Sequence, residues 1–531
     1  MERWNPRREI ADDEKYVMKR VEKGRKLFMF LRLQRHLLFD DAFQAELEAM
    51  YRTSGAGSEP IAPAFMCTVL LLQGYLRVSD ADAVTASVVD ARWQLALDCL
   101  GVREPPFSQG TLQRFRERMI AADMDRRLLE RTVELAKQSK EFDWKKLPKD
   151  LRVAIDSRPL EGAGRVEDTI NLLGHAARKI IAISAKILDV SKEDVCRLAG
   201  VPLLSGPSVK ASLDLDWNDA AQRREAVEIL CGQLTLLDVW LSKAQLTNEE
   251  PLTPYIEAIA QIQAQDLEVG DDGSVRIRRG VAEDRRVSIE DPDMRHGRKS
   301  KSKRFNGYKE HVATDIDTDL ILACEVTPAN RPEETATVRL NSDMEHQNLT
   351  IGTVLIDRAY INSDLVDAVS EAGGIVLAKP WKLRNVNPNL FSKAEFKLNM
   401  RDQTITCPAG ETESFEPGDV VEFDPEACGA CPFRSQCTHA ASGKGRTVKI
   451  AEGEALQVQL RRLQATSTGR EQLRGRVPVE HRLAHISARK GPRARYRGTR
   501  RNLFDLRRAA AIQNLETVQR IAQRGRVRRA A

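Results

Sequence analysis

Two aspartates end short runs with the look of buried strands: Asp156 in "LRVAIDSRPL" (151–160) and Asp357 in "GTVLIDRAY" (352–360). In the first run Val153 and Ile155 share one face, Ala154 and Asp156 the other, and Pro159 is expected to stop the strand. Either carboxylate alone can cap the turn that follows by accepting backbone N–H groups. Brought side by side by parallel strands, the two repel each other unless a cation lies between them, and hard oxygen ligands of this kind suit Mg²⁺ or Mn²⁺. Two such ions, about 3.5–4 Å apart, activate an attacking hydroxyl and stabilise the departing oxygen of a phosphodiester. A third acid is wanted, and Glu480 in "LRGRVPVEHRLAHISARKGPRARYRGTRRN" is the candidate. Pro478 suits a first helical turn, so Glu480 falls near a helix N-terminus, with Leu483 and Ile486 on the face to be buried and Arg476 and Arg482 near the acid.

A second cluster has metal-ligand spacing. Cys407, Cys428, Cys431 and Cys437 read C-x20-C-x2-C-x5-C, and the central pair can reach one Zn²⁺ while the outer pair completes a tetrahedron. His439 competes for the fourth position, and free thiols are the alternative. Gly410, Pro417, Gly418 and Gly429 make the segment turn-rich with little expected core, so a structural zinc is a reasonable staple. Four thiolates leave no open position for catalysis. The other five cysteines are isolated and read as small buried hydrophobes.

The elements that must position these groups can be read from periodicity. Residues 1 to about 145 are helical in pattern, and Ser108 caps a helix that places Leu112, Phe115 and Met119 on one face and Gln113, Arg114, Arg116 and Arg118 on the other. That basic face suits a DNA-binding head or an ordinary bundle. Residues 165 to 265 return to helical spacing, "GYKEHVATDI" and "LILACEVTPAN" form a hairpin across "DTD", and "GGIVLAK" (373–379) adds a strand. The sum is α/β, a mixed sheet with helical cover and both aspartates at strand ends.

The net charge of +6, from 83 Lys+Arg against 77 Asp+Glu, says little by itself. Its placement says more. Seven basic residues and no acid lie between Arg295 and Lys309, and residues 491–531 hold twelve Arg against Asp505 and Glu516. Such blocks attract a polyanion with salt-dependent strength. Arg298, Lys299, Lys301, Lys303, Arg304 and Lys309 beside the sheet, and Lys490, Arg493, Arg495 and Arg497 after Glu480, are candidate phosphate contacts, with Tyr496 a candidate for stacking on an unpaired base. His311 lies near the aspartates in sequence pattern and can bond DNA or a carboxylate. Residues 520–531 are expected to fray. The start lacks a secretory apolar core and "AFMCTVLLLQGYL" is too short to span a bilayer, so a cytoplasmic protein without membrane contact is expected.

Together these segments resemble the DDE transposases of bacterial insertion sequences, in the group whose last acid lies in a Y-x2-R-x3-E-x6-K signature. "VAIDSRPLEGAG" and "GTVLIDRAY" are similar to that family's two Asp blocks, and "FNGYKEHVATDIDTDLILACEVTPANRPE" to the hairpin between them. The resemblance implies an RNase H-like catalytic fold, Asp156, Asp357 and Glu480 as a triad holding two Mg²⁺ or Mn²⁺ ions, and Arg476 as the signature arginine, contacting a phosphate or holding Glu480. It also implies recognition of terminal inverted repeats on double-stranded DNA and action as a homodimer or larger synaptic complex. The chain departs from the signature at Leu473 and Ser487, where tyrosine and lysine are usual, and Arg489 or Lys490 is the nearest replacement charge.

The expected organisation is a helical DNA-binding domain (1–145), an RNase H-like core (146–400) with a helical insertion near 165–290, a zinc-ribbon-like insert (401–445), and a C-terminal part (446–531) with the Glu480 helix and a basic tail. The rival readings are an RNase H-like nuclease without strand transfer and a catalytically decayed DNA-binding protein. A haloacid-dehalogenase-like phosphatase is disfavoured because "DSRPL" lacks the second Asp of a D-x-D pair.

Overall fold

Helices between Asp12 and Gln138 build the N-terminal region, several of them begun by side-chain caps. Ser79 and Asp82 form a reciprocal capping box, and Ser108 accepts from Thr111 N as its sequence suggests. The helix Gln109–Ala121 buries Leu112, Phe115 and Met119, but its basic face is only partly free. Arg116 turns inward to Asp80 at 2.5 Å, and Arg118 lies over the Tyr51 ring at 4.5 Å. The computed structural model describes residues 2–21, 27–51, 59–138, 151–213, 215–300, 302–383 and 387–530, with Pro478 and residues 523–530 described by their backbone alone.

The sheet is mixed. Leu151–Glu161 lies between Arg304–Asp315, antiparallel, and Ile351–Leu355, parallel, and Ile375–Leu377 extends the parallel side. Arg304–Asp315 also pairs with Ile321–Pro328, which is the expected hairpin, and with Arg295–Arg298, a short strand that the sequence pattern did not reveal. Pro159 does not stop its strand: it stays in the ladder opposite Lys309 and the strand runs on to Glu161. The parallel neighbour ends at Leu355, opposite Ala154, so Pro159 lies where the strand is paired on one side only and its missing N–H costs little. Asp156 is therefore mid-strand rather than terminal, two residues past the level at which its parallel neighbour ends.

Between that strand and the rest of the sheet, helices from Thr169 to Asp266 and a small hairpin (Leu267–Val269 with Val275–Ile277) pack around their own apolar core. The N-terminal helices instead share one core with the sheet, from Phe28 and Leu70 through Ile155 and Val312 to Ile512. What closes that core is the C-terminal segment. It forms a helix, Thr499–Ala530, with Phe504, Leu506, Ala510, Ile512 and Leu515 buried; residues 520–530, in the stretch expected to fray, continue its helical backbone. Asn514 serves as a ladder partner for the edge strand, accepting from Ile321 N and donating to Ile321 O at 2.8 Å each. Residues 391–450 make a separate module with its own core of Phe396, Ile405, Phe415, Val421, Phe423, Val448 and Ile450, where the sequence suggested an insert with little core. Among the described residues no helix is long and apolar enough to cross a membrane.

Candidate active site

The parallel register that pairs Ala154 with Leu355 carries Asp156 and Asp357, two residues further on, to the same level. Asp156 Oδ1 accepts from Ser157 N at 2.8 Å. Asp357 also has the capping role open to it, accepting from Ala359 N at 2.7 Å at the start of the short turn Arg358–Tyr360. Glu480 stands in the first turn of Val477–Lys490, a helix held down by Val479, Leu483 and Ile486. Arg476, just before that helix, joins the three acids. Its Nη1 is 3.9 Å from both Asp156 and Asp357, and its Nη2 donates to Glu480 at 3.1 Å. They line one cavity of about 510 Å³ together with Arg158, Arg298, Lys299, Lys309 and Glu333.

Electrostatically this group is short of positive charge. The Asp156 carboxyl is raised to about 6, chiefly by burial and in smaller part by Asp357 and Glu480, with Arg476 and the Ser157 N–H only partly opposing the rise. Arg476 Nη1 is itself buried without a hydrogen-bond partner. Among the described residues no three His, Cys, Asp or Glu side chains are drawn together as a ready metal cluster; here the guanidinium holds the space among the acids. A donor set of carboxylate oxygens turned toward one cationic point, one of them paying for burial, fits a divalent cation.

The basic residues divide. Arg298, Lys299 and Lys309 line the cavity, with Lys309 Nζ donating to Arg331 O at 2.8 Å and 3.8 Å from Glu333. Lys303 and Arg304 are exposed beside them, and Lys301 lies outside the described residues. Arg493 and Arg495 are exposed, while Arg497 is paired with Glu290 at 2.6 Å. Lys490 is not a free phosphate contact: it is buried between Glu310 at 2.5 Å and Asp505 at 3.2 Å. Tyr496 is not available for stacking either, being half-buried edge-on to Phe504 and beneath Arg116. His311 is a core residue, hydrogen-bonded to the Tyr360 hydroxyl and Thr327 Oγ1, and burial lowers its pKa to about 3, so it stays neutral. Within the C-terminal basic block, Arg507 is fully buried against Asp123, Asp125 and Asp343, and Arg508 against Asp505.

Sequence reasoning missed Arg158, Glu333 and Glu310. Arg158 lies two residues after Asp156 on the same strand and, with Lys490, grips the fully buried Glu310, so the far end of the Glu480 helix is tied to the two strands beside Asp156. Nothing local in "GYKEHVATD" marks Glu310 as buried.

Cys407, Cys428, Cys431 and Cys437 line a common cavity, close enough for their charges to help raise the Cys437 pKa behind the main cause, burial. Here too, no three His, Cys, Asp or Glu side chains among the described residues are drawn together as a ready metal cluster, and His439 is bonded to Asn387 at 3.0 Å. The phenylalanine core of the module packs against Cys407, Cys428 and Cys437.

The mixed sheet, with Asp156 on one strand, Asp357 just past the end of its parallel neighbour and the Glu480 helix packed on the first, is consistent with an RNase H-like DDE domain. The family model described as Transposase DDE domain matches residues 271–515, and that described as Transposase domain (DUF772) matches residues 16–118. The two matches support a DDE transposase of the insertion-sequence type. The first match begins after Asp156, so that residue's place rests on the sheet register. Neither a curated protein nor a solved structure gives a match.

Proposed function

We propose that this transposase cuts phosphodiesters at the terminal inverted repeats of its element and transfers the freed 3′-OH ends to target DNA, with Asp156, Asp357 and Glu480 as the ligands of two Mg²⁺ or Mn²⁺ ions. The observation that carries the reading is the common level of the two aspartates with Arg476 bridging all three acids. Ions held there supply activation of the attacking oxygen and stabilisation of the leaving one, in both cleavage and transfer. The chain's own residues do the rest. Arg476 keeps the three carboxylates together before DNA arrives, and its planar fork then suits a phosphate of the bound strand. Arg298, Lys299 and Lys309 offset phosphate charge at the cavity wall and orient the backbone.

Ser487, at the signature's lysine position, lines this cavity, and those three cations provide positive charge where the lysine is missing. That favours an active enzyme over a decayed one. The partner is double-stranded DNA, bound by a homodimer or larger synaptic assembly. The test is Mg²⁺-dependent nicking of a duplex carrying the element's own ends. Cleavage is expected from wild type and absent in Asp156→Asn, Asp357→Asn and Glu480→Gln while DNA binding survives; unchanged cleavage in the two Asn variants contradicts the assignment. Joining of a pre-nicked end to plasmid separates transposition from simple nuclease action.

A further inference from the structure

A second cavity, of about 250 Å³, opens where the N-terminal helices meet the end of the Glu480 helix. Its walls hold Arg77, Arg489, Lys490, Arg495 and Arg508 against a single acid, Asp505. Asp505 is already committed, paired with Lys490 at 3.2 Å and Arg508 at 2.5 Å, and Arg489 is held by Glu516 at 2.5 Å and the Tyr75 ring at 5.3 Å. Arg77 and Arg495 are different. Both are exposed at the rim, each spends one N–H on a carbonyl, of Ala488 at 3.2 Å and of Val78 at 2.7 Å, and neither makes an ion pair among the described residues.

The backbone is shaped to present them. Arg77 ends the helix Pro63–Leu76 in the left-handed conformation, φ 61, where glycine is the usual residue and an arginine side chain carries a steric cost. Gly491, at φ +83, faces it: a Cβ there would lie 3.2 Å from Arg77 Nη2. At the floor, a Cβ on Gly74 would meet Arg508 Nε at 3.0 Å. The cavity is thus a cationic cradle kept open by small residues, with two guanidinium groups outside ion-pair distance of any acid among the described residues, Arg495 acting on Asp80 only from a distance.

We infer that this cavity binds a backbone phosphate of the DNA whose scissile phosphate enters the carboxylate site, an inference that rests on the transposase reading above. Arg489 and Glu480 stand nine positions apart on one helix, about 14 Å along its axis and about half a turn around it, so the second cavity opens on the other side of the helix, at its C-terminal end, and a duplex that reaches both cavities crosses that end. A phosphate seated here fixes the angle of the duplex across the helix and delivers the cut bond to the acids, and its contacts carry no base information.

The full chain and the Arg77→Gln/Arg495→Gln variant are titrated with a short duplex over a range of NaCl concentrations. The variant is expected to show a slope of log K against log salt shallower by about 0.9, the loss of one phosphate contact, with an unchanged melting temperature. The Arg77→Lys/Arg495→Lys variant, which keeps the charge, should recover most of the slope, and it decides the matter should the Gln pair melt early. A Gln variant of normal melting temperature with the wild-type slope overturns the inference. So does inorganic phosphate or pyrophosphate that binds wild type through these arginines without competing with the duplex, which would make the cavity a free-anion site. Wild type that binds but never cleaves with Mg²⁺ sinks the functional reading instead, whereas wild type that cleaves beside a Gln pair of unaltered slope sinks only this one.

Discussion

Two groups of carboxylates lie at opposite ends of the Glu480 helix and are neutralised in opposite ways. At the far end two acids meet three cations: Glu310 pairs with Arg158 and Lys490, Asp505 with Lys490 and Arg508. At the near end Asp156, Asp357 and Glu480 share the single guanidinium of Arg476. Their burial differs accordingly, Glu310 being wholly enclosed while Glu480 is about half exposed, with 54% of its side chain open. Acids with at least as many cations as carboxylates lock a structure; acids left short of charge keep a demand for a ligand. The comparison separates scaffold from site without appeal to any single distance.

Breaking the near group should have the largest effect, and on activity alone. Asp156→Asn or Asp357→Asn is expected to reduce cleavage by about a thousandfold or more, because ion-borne stabilisation is worth several kcal/mol and each 1.4 kcal/mol is tenfold. Single-turnover nicking measures this, with filter binding as the control. Breaking the far group should act on stability. Glu310→Ala leaves Lys490 and Arg158 buried with too little opposing charge and is expected to cost about 3–5 kcal/mol in denaturant unfolding.

A smaller and opposite effect sharpens the contrast. The folded pKa of Asp156, about 6, stands above the ordinary carboxylate value, so the folded protein binds that proton more tightly than the unfolded chain does. Its contribution is therefore present at low pH and is lost as pH rises from about 4 to about 6. Asp156→Asn removes this loss. The ion-free variant should be more stable than wild type at about pH 8, by on the order of 1–3 kcal/mol, and the gap should close at about pH 3. Chemical unfolding at the two pH values checks it. Glu480→Gln, altering an exposed acid, should change stability by less than about 0.5 kcal/mol at either pH, and the same unfolding curves measure that.

The strands bearing both aspartates, the hairpin between them and the helix start at Pro478 were legible because each is written in consecutive residues. The burial of Lys490 and Tyr496 was not. The run "RKGPRARYRGTRRN" shows the sign of its charges but not their partners, which come from "GYKEH" far upstream and from Asp505 a turn or two beyond. The closing helix was hidden for a related reason: Arg507 and Arg508 break its apolar pattern until Asp123, Asp125, Asp343 and Asp505 are seen around them. Pro159 misled because its tolerance depends on where a neighbouring strand stops, a fact of register. In the Cys-rich module, Phe396, Phe415 and Phe423 are too scattered to announce a core, while the cysteines announce themselves.

The most direct measurement is anomalous scattering from Mn²⁺ in crystals of the wild-type chain bound to DNA with its own ends. Manganese is expected bonded to carboxylate oxygens of Asp156 and Asp357, with Glu480 completing the set and Arg476 turned from the acids to a phosphate. Manganese bound elsewhere along the cut strand, with Arg476 still clasping all three acids in a complex that cleaves, would contradict the account.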